Sequence, residues 1–337
     1  MEPEKVRAPN IRDVARLAGV SYQTVSRVLN NSESIKPSTK ERVLEVIEQV
    51  GYRPNQAARA LVTSRSRTIG VLTSQTAHYG PTTSLHAIED AAREAGYLVS
   101  TTSLATSGYE SITDRLEHLI SQAVEGLVVI APQVKVFDAI RELDIRLPLV
   151  TLDSTRRDDQ RSLSVDQIAG ARLATRHLIE LGHREIVHLA GPQDWIEAEA
   201  RMRGFLDEIN DADLGTHPPI LGDWTADFGY HVGNELVHSR NFTAVFAAND
   251  QMALGLMHAF RNAGLDVPGD VSVVGFDDIP EAAHYWPPLT TVRQDFTEIG
   301  RRSVALLLAE LRGEADRNHD QILPELIIRE STAPPRR

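Results

Sequence analysis

The sequence predicts a small all-α domain at its start, followed by a larger α/β region made of two doubly wound parallel-sheet subdomains. Three observations carry that prediction. Three short helical patterns precede Gly51, strand-helix alternation begins at Thr68, and the alternation holds enough units for two sheets. At 337 residues the chain is long for one core and suits a small domain beside larger ones.

Composition narrows the chemistry. There is no cysteine, so disulfide scaffolds, thiolate metal sites and cysteine nucleophiles are excluded. The 12 histidines show no HExxH-type spacing, so neither a metal nor a cofactor is expected. No run approaches the roughly 20 apolar residues that span a bilayer, and Met1–Asn10 mixes charges of both signs without an apolar core. A cytoplasmic protein without membrane partners is expected. The net charge of −12 divides unevenly, +5 over residues 1–67 and −17 over the rest. A polyanion is attracted to the first part and repelled by the second.

The first element is Ile11-Arg-Asp-Val14-Ala15-Arg-Leu17-Ala18, apolar at i, i+3, i+4 and i+7. Gly19-Val20 ends it, and Ser21 suits the N-cap of a second helix from Tyr22 to about Leu29. Val25, Val28 and Leu29 form that helix's inner face. Tyr22 with Ser26, and Gln23 with Arg27, are i, i+4 pairs on the other. The exposed stripe therefore offers a phenol, an amide, a hydroxyl and a guanidinium, the groups that read base edges in a major groove. Pro37 opens a third helix, with Lys36, Ser38, Thr39 and Lys40 placed for phosphates. The stripe Val43, Val46, Ile47 and Val50 runs on to the C-cap Gly51. A plain three-helix bundle with a polar surface is the alternative; two helices on a small-residue turn favour a helix-turn-helix.

The segment Asn10 to Asn30, NIRDVARLAGVSYQTVSRVLN, resembles the signature of the lac repressor (LacI/GalR) family of transcriptional regulators, and the resemblance extends to about Glu330. It implies a periplasmic-binding-protein-like effector domain behind the helix-turn-helix. It also implies DNA contacts by Ile11, Ser21, Tyr22, Gln23, Thr24, Ser26, Arg27, Asn30 and Thr39. Arg53-Pro54-Asn55-Gln-Ala-Ala-Arg-Ala-Leu61 is a helix former too short to hold in water alone. Read on its own it could be a plain linker. The resemblance implies that Leu61 wedges into a minor groove with Asn55 and Ala58 beside it. The expected organisation is thus 1–53 DNA-binding, 54–67 hinge helix and linker, and 68–337 effector-binding and dimerisation.

In the α/β region, strands are expected at Thr68–Thr73, Leu98–Ser103, Gly126–Ile130, Leu149–Leu152, Leu163–Val165, Ile186–Ala190, Ile220–Leu221, Ala244–Ala247, Val271–Gly275 and Leu326–Arg329. Helices are expected at Ser84–Ala95, Ser111–Gln122, Val134–Leu143, Ile168–Leu181, Ala198–Ile209, Asp227–Val237, Met252–Ala263 and Phe296–Leu311.

Parallel α/β sheets bind ligands beyond the carboxyl ends of their strands. There the sequence places Ser74, Asp153, Trp224, Asn249-Asp250 and Asp277-Asp278. Carboxylates and amides beside an indole suit a polyhydroxylated ligand, although strand-end aspartates equally serve as helix caps. The resemblance implies that Arg203, Asn249 and Asp277 bond sugar hydroxyls, with Ser74 and Asp153 helping from the other subdomain. It further implies that Trp224 and Phe296 pack the ring and that Gln294 joins near the crossover. Three positions depart from the family's namesake: Ile130 stands for an asparagine, Glu199 for a serine and Val165 for a phenylalanine, so the exact sugar stays open.

A glycosidase could be read from Asp277-Asp278, but adjacent strand residues point in different directions, and no GxSxG, Walker or GxGxxG pattern is present. A sugar-binding transport protein shares the two-lobed fold but needs export and no DNA-reading head. A purine effector is a further alternative, weakened for anionic ligands by the acids of the presumed cleft. The expectation is therefore a non-enzymatic repressor. As a homodimer it grips a pseudo-palindromic duplex operator, and a galactoside-like or other glycoside inducer releases it. The tail Thr332–Arg337, with two prolines and no heptad, favours a dimer over a tetramer.

Overall fold

The computed structural model describes residues 9–29, 34–53, 65–74, 78–104, 109–130, 133, 136, 138–140, 143, 145–152, 162–215, 217–239, 241–314 and 320–336. The chain divides into two compact units, Met1–Ser66 and Arg67–Arg337.

In the first unit α1 (Ile11–Leu17), α2 (Tyr22–Leu29) and α3 (Pro37–Val50) follow the predicted boundaries. Asn10 caps α1 by accepting from the Arg12 and Asp13 amides, and Asp13 answers by accepting from the Asn10 amide. Ser21 Oγ accepts from the Thr24 amide at 3.1 Å. Gly51 closes α3 at φ 63°, a left-handed position that suits glycine. Val14, Ala15, Ala18, Val25, Val28, Val43 and Val46 form a small core, with Ile11 and Leu29 half-buried against it.

The second unit holds two sheets. The first has five parallel strands in the order β2-β1-β3-β4-β5, with β1 Thr68–Ser74, β2 Leu98–Leu104, β3 Gly126–Ile130, β4 Leu149–Leu152 and β5 Ser162–Leu163. The second has the order β11-β10-β9-β8-β6-β7. Its strands are β6 Ile186–Ala190, β7 Ile220–Leu221, β8 Ala244–Ala247, β9 Ser272–Asp277, β10 Thr290–Arg293 and β11 Glu325–Ile327. Helices lie on both faces: α4 (Tyr79–Glu94), α5 (Tyr109–Ser121) and α10 (Phe296–Leu311) on the first sheet; α6 (Gln167–Glu180), α7 (Ile196–Asp211), α8 (Ala226–Ser239) and α9 (Asp250–Asn262) on the second. Strand alternation feeds separate cores. In β1, Ile69 and Val71 face the core under α4 and α10, while Leu72 faces the core under α5. The chain passes between lobes after β5, after β10 and again after α10, which packs along α4 of the first lobe.

Three expectations need correction. Strand β10 had no sequence prediction, because four residues behind Pro287-Pro288 carry too little periodicity to register. The last strand runs antiparallel to β10, so the second sheet is not wholly parallel. Helix α4 begins at Tyr79 rather than Ser84, since Pro81 falls in the first turn, where a missing N–H costs nothing. Within the helix expected at 134–143, the described residues 136 and 138–140 are helical. No described helix is long and apolar enough to cross a membrane.

Candidate functional site

The head presents its predicted face. Tyr22 is 55% exposed, Gln23 and Arg27 are exposed, and Ser26 and Thr24 are half-buried beside them. Val25 and Val28, fully buried, anchor that helix to α1 and α3. Ser21 is spent partly on capping, its Oγ meeting both the amide and the hydroxyl of Thr24. Thr39 is half-buried in the first turn of α3. Asn30, Asn55, Ala58 and Leu61 lie outside the described residues.

In the body, a solvent-open cleft with about 730 Å³ of empty space lies between the two sheets. Trp224, Asn249 and Asp277 from the strand ends line it, as do Gln294 and Phe296, which the resemblance alone implied. Ile130 and Val165 line it too, so two of the departures fall on its wall. Ser74 ends β1 and is buried, yet it is not among the lining residues. Asp153 lies outside the described residues.

Arg203 is a correction. Its side chain is 73% exposed and pairs with Asp207 at 3.8 Å on the outer face of α7. The cavity arginine is Arg201, 5% exposed. Two residues along a helix rotate the side chain by about 200°, so a slip of two exchanges inside for outside. The same slip moves the acidic departure from Glu199, which is exposed, to Glu197, which lines the cavity. The sequence does hold the signal: Ala198, Arg201, Phe205 and Ile209 share one buried stripe at spacings of three and four.

Arg201 is held on every side. Its Nε donates to Gln167 Oε1 at 2.8 Å, its Nη1 to the Ala248 carbonyl, and its Nη2 to Asp277 Oδ1 at 3.3 Å. The guanidinium lies 3.9 Å above the Phe276 ring. Gln294 Nε2 donates to the same Asp277 oxygen at 2.7 Å, and Gln167 Nε2 donates to Gln294 Oε1 at 2.7 Å. Burial raises the Asp277 carboxyl above its ordinary range, with Arg201 and Gln294 pulling it back; burial likewise lowers Arg201, which Asp277 offsets. Asp277 sits at φ 107° and Trp224 at φ 74°, both in backbone space that a non-glycine residue rarely visits.

Asn249 caps α9 by accepting from the Met252 amide, and its Nδ2 donates to the Trp224 carbonyl at 3.0 Å. Asp250 turns away from the cavity: its carboxylate accepts from the Ile279 amide and from Thr291 Oγ1 at 2.6 Å. Asp278 is gripped by Arg293 and Arg329, so the two adjacent carboxylates do face apart. The indole of Trp224 packs where a side chain on Gly191 would stand, which requires glycine there. Its Nε1 is buried without a hydrogen-bond partner among the described residues. Sequence reasoning missed Gln167, Arg201, Tyr79, Trp195 and Glu197. The aromatic pairs are edge-on: Trp195–Trp224 at 67° and Tyr79–Phe296 at 81°.

A three-helix head with a polar recognition face and a two-lobed α/β body with a cleft between its sheets define a DNA-binding regulatory protein. Comparison with known families makes this specific. Residues 10–55 match the model of bacterial regulatory proteins of the lacI family, and residues 175–332 match a periplasmic binding protein-like domain. The chain is 35% identical to the lactose operon repressor of Escherichia coli (strain K12) over 322 residues, covering 95% of this chain and 89% of that one. It is 34% identical over 329 residues to the HTH-type transcriptional repressor PurR of Pasteurella multocida (strain Pm70), covering 95% and 98%. Among solved structures, the lac repressor dimer bound to operator and the anti-inducer ONPF superposes with a TM-score of 0.88 at 34% identity, covering 97% of this chain and 100% of that one. The chain belongs to the lacI family and is one of its DNA-binding transcriptional repressors, not an enzyme.

Proposed function

We propose that the chain acts as a cytoplasmic homodimer on a pseudo-palindromic operator and that a neutral sugar or glycoside bound in the cleft releases it. Dimerisation is supported by the similarity to a repressor whose solved form is a dimer on operator, and by the few base contacts one head can make. The observation that carries the effector reading is the division of the cleft. Arg201, Asp277, Gln167, Gln294 and Asn249 give the second-lobe side its hydrogen-bonding groups beside the indoles of Trp195 and Trp224, while Ile130, Leu152, Leu163, Val165 and Phe296 give the other side mainly apolar surface, with Ser84 among it. The cavity's arginine is already paired with Asp277, and Glu197 adds a further acid, which disfavours phosphorylated ligands. A ring with hydroxyls along one edge and C–H groups on the other face fits.

A purine is the second reading, favoured by the PurR relative. A planar base sandwiched between rings needs two parallel faces about 7 Å apart, twice a van der Waals contact. The ring pairs along the cleft, His78–Trp195 included, are closed edge to face instead. Thermal-shift screening against monosaccharides, alkyl glycosides, disaccharides and purine bases tests the choice, because a ligand of the folded form raises the melting temperature. A shift with sugars and none with purines is expected; the reverse overturns the sugar reading. For the head, Gln23→Ala is expected to relax base preference by about 1–3 kcal/mol at one position while leaving the cleft's response whole.

A further inference from the structure

Gln167 opens α6 directly behind the passage from β5, and Gln294 sits between β10 and α10, on the return passage. Their side chains meet in one buried amide–amide hydrogen bond across 127 residues of sequence. That bond is one link of a closed ring. Arg201 Nε donates to Gln167, Gln167 to Gln294, and Gln294 to Asp277 Oδ1, which also accepts from Arg201 Nη2. The ring has a direction, because the arginine can only donate and the carboxylate can only accept. Between these ends neither amide can turn over without setting two donors or two acceptors face to face.

We propose that Gln167 is the positioning residue of the cleft. It fixes which edge of the Arg201 guanidinium and which end of the Gln294 amide the cavity presents, and it ties two of the three interlobe passages to the second lobe. Passages of this kind absorb the backbone change when lobes close. A neighbour that merely filled space would serve equally well as a leucine; the ring needs a group that accepts from Arg201 and donates to Gln294 at once.

Two variants of the ligand-free full chain separate these roles. Gln167→Leu removes both bonds at similar volume. Gln167→Glu keeps the acceptor for Arg201 but donates to Gln294 only when its carboxyl is protonated. The charged or titratable groups acting on the Arg201 to which it is bonded are Glu197 on the same helix, Asp277 on β9, Asp250 on α9 and His188 on β6, and Asp166 directly precedes Gln167 as the N-cap of α6. At neutral pH both variants are expected to melt about 4–8 °C below the parent chain. On acidification the Gln167→Glu deficit closes, because protonation favours the folded ring, and it reopens as pH rises; the Gln167→Leu deficit stays constant. Parallel deficits at every pH, or no deficit in either variant, overturn the proposal. No effector enters the experiment, so a cleft that binds no sugar sinks the preceding reading and leaves this one standing.

Discussion

The two lobes bury different kinds of matter. The cores around the five-stranded sheet are built from aliphatic residues such as Ile69, Leu72, Ile88, Leu127 and Val150. The second lobe also buries Arg201, Asp250, Asp277, His183 and His188. A buried charge is tolerable when paired and hydrogen-bonded: Arg201 and Asp277 are paired with each other, Asp250 accepts from the Ile279 amide and Thr291, and burial favours the neutral form of His183 and His188. The contrast repeats at the cleft, where one wall supplies apolar area and the other a pre-tied set of polar groups. On the proposed function this is a division of labour: the second lobe would orient a ligand, while the first would close over it through non-directional burial.

The largest break in that contrast comes from cutting the buried ion pair. Asp277→Ala strands the Arg201 charge and is expected to cost about 3–5 kcal/mol, read as a lower midpoint in urea unfolding, and to abolish the effector response. A loss below 1 kcal/mol or so would mean the pair is not closed in solution.

Acid should expose the second lobe first. His188 packs against both Phe205 and Phe246, donates from Nδ1 to the Phe246 carbonyl, and has its pKa lowered by burial to about 4. His177 and His183 are lowered in the same direction by burial. A depressed histidine stabilises the fold fully above its unfolded value, and that stability is lost as pH falls through the folded value. Between pH 6.5 and about 4, His188 alone then accounts for on the order of 3 kcal/mol. Melting followed across that range should fall for the parent chain and less steeply for His188→Phe, with hydrogen exchange accelerating in the second lobe before the first. Equal acceleration in both lobes would erase the distinction.

A smaller effect tests the apolar wall. Ile130→Asn places an amide on the first lobe's side of the cleft and is expected to cost about 1–3 kcal/mol. It should also shift preference in the ligand screen toward more heavily hydroxylated sugars. Arg203→Ala sharpens the contrast by doing almost nothing: an exposed i, i+4 pair contributes about 0.5 kcal/mol or less, and the effector response should survive intact.

Much of the fold was legible because local signals agreed with the tertiary outcome. The three head helices, with caps at Ser21 and Gly51, follow from spacing and capping chemistry within one or two turns of chain. Strands such as β3, β4, β6 and β8 announced themselves as apolar runs buried on both faces. The cleft was legible in part, since strand ends converge wherever parallel sheets form. The arginine was not placed correctly, because Arg201 and Arg203 are chemically alike and only the phase of α7 separates them.

What the sequence by itself determined is the order of elements, the polar face of the recognition helix, and the residue types at the strand ends, because each depends on neighbours a few positions away. Only the tertiary structure decided which arginine enters the cleft, that Asn249 spends its amide on a cap, and that Gln167 meets Gln294. Those outcomes depend on helix rotation and on contacts across more than a hundred residues, where hydrogen-bond direction and burial act and no local pattern reports them.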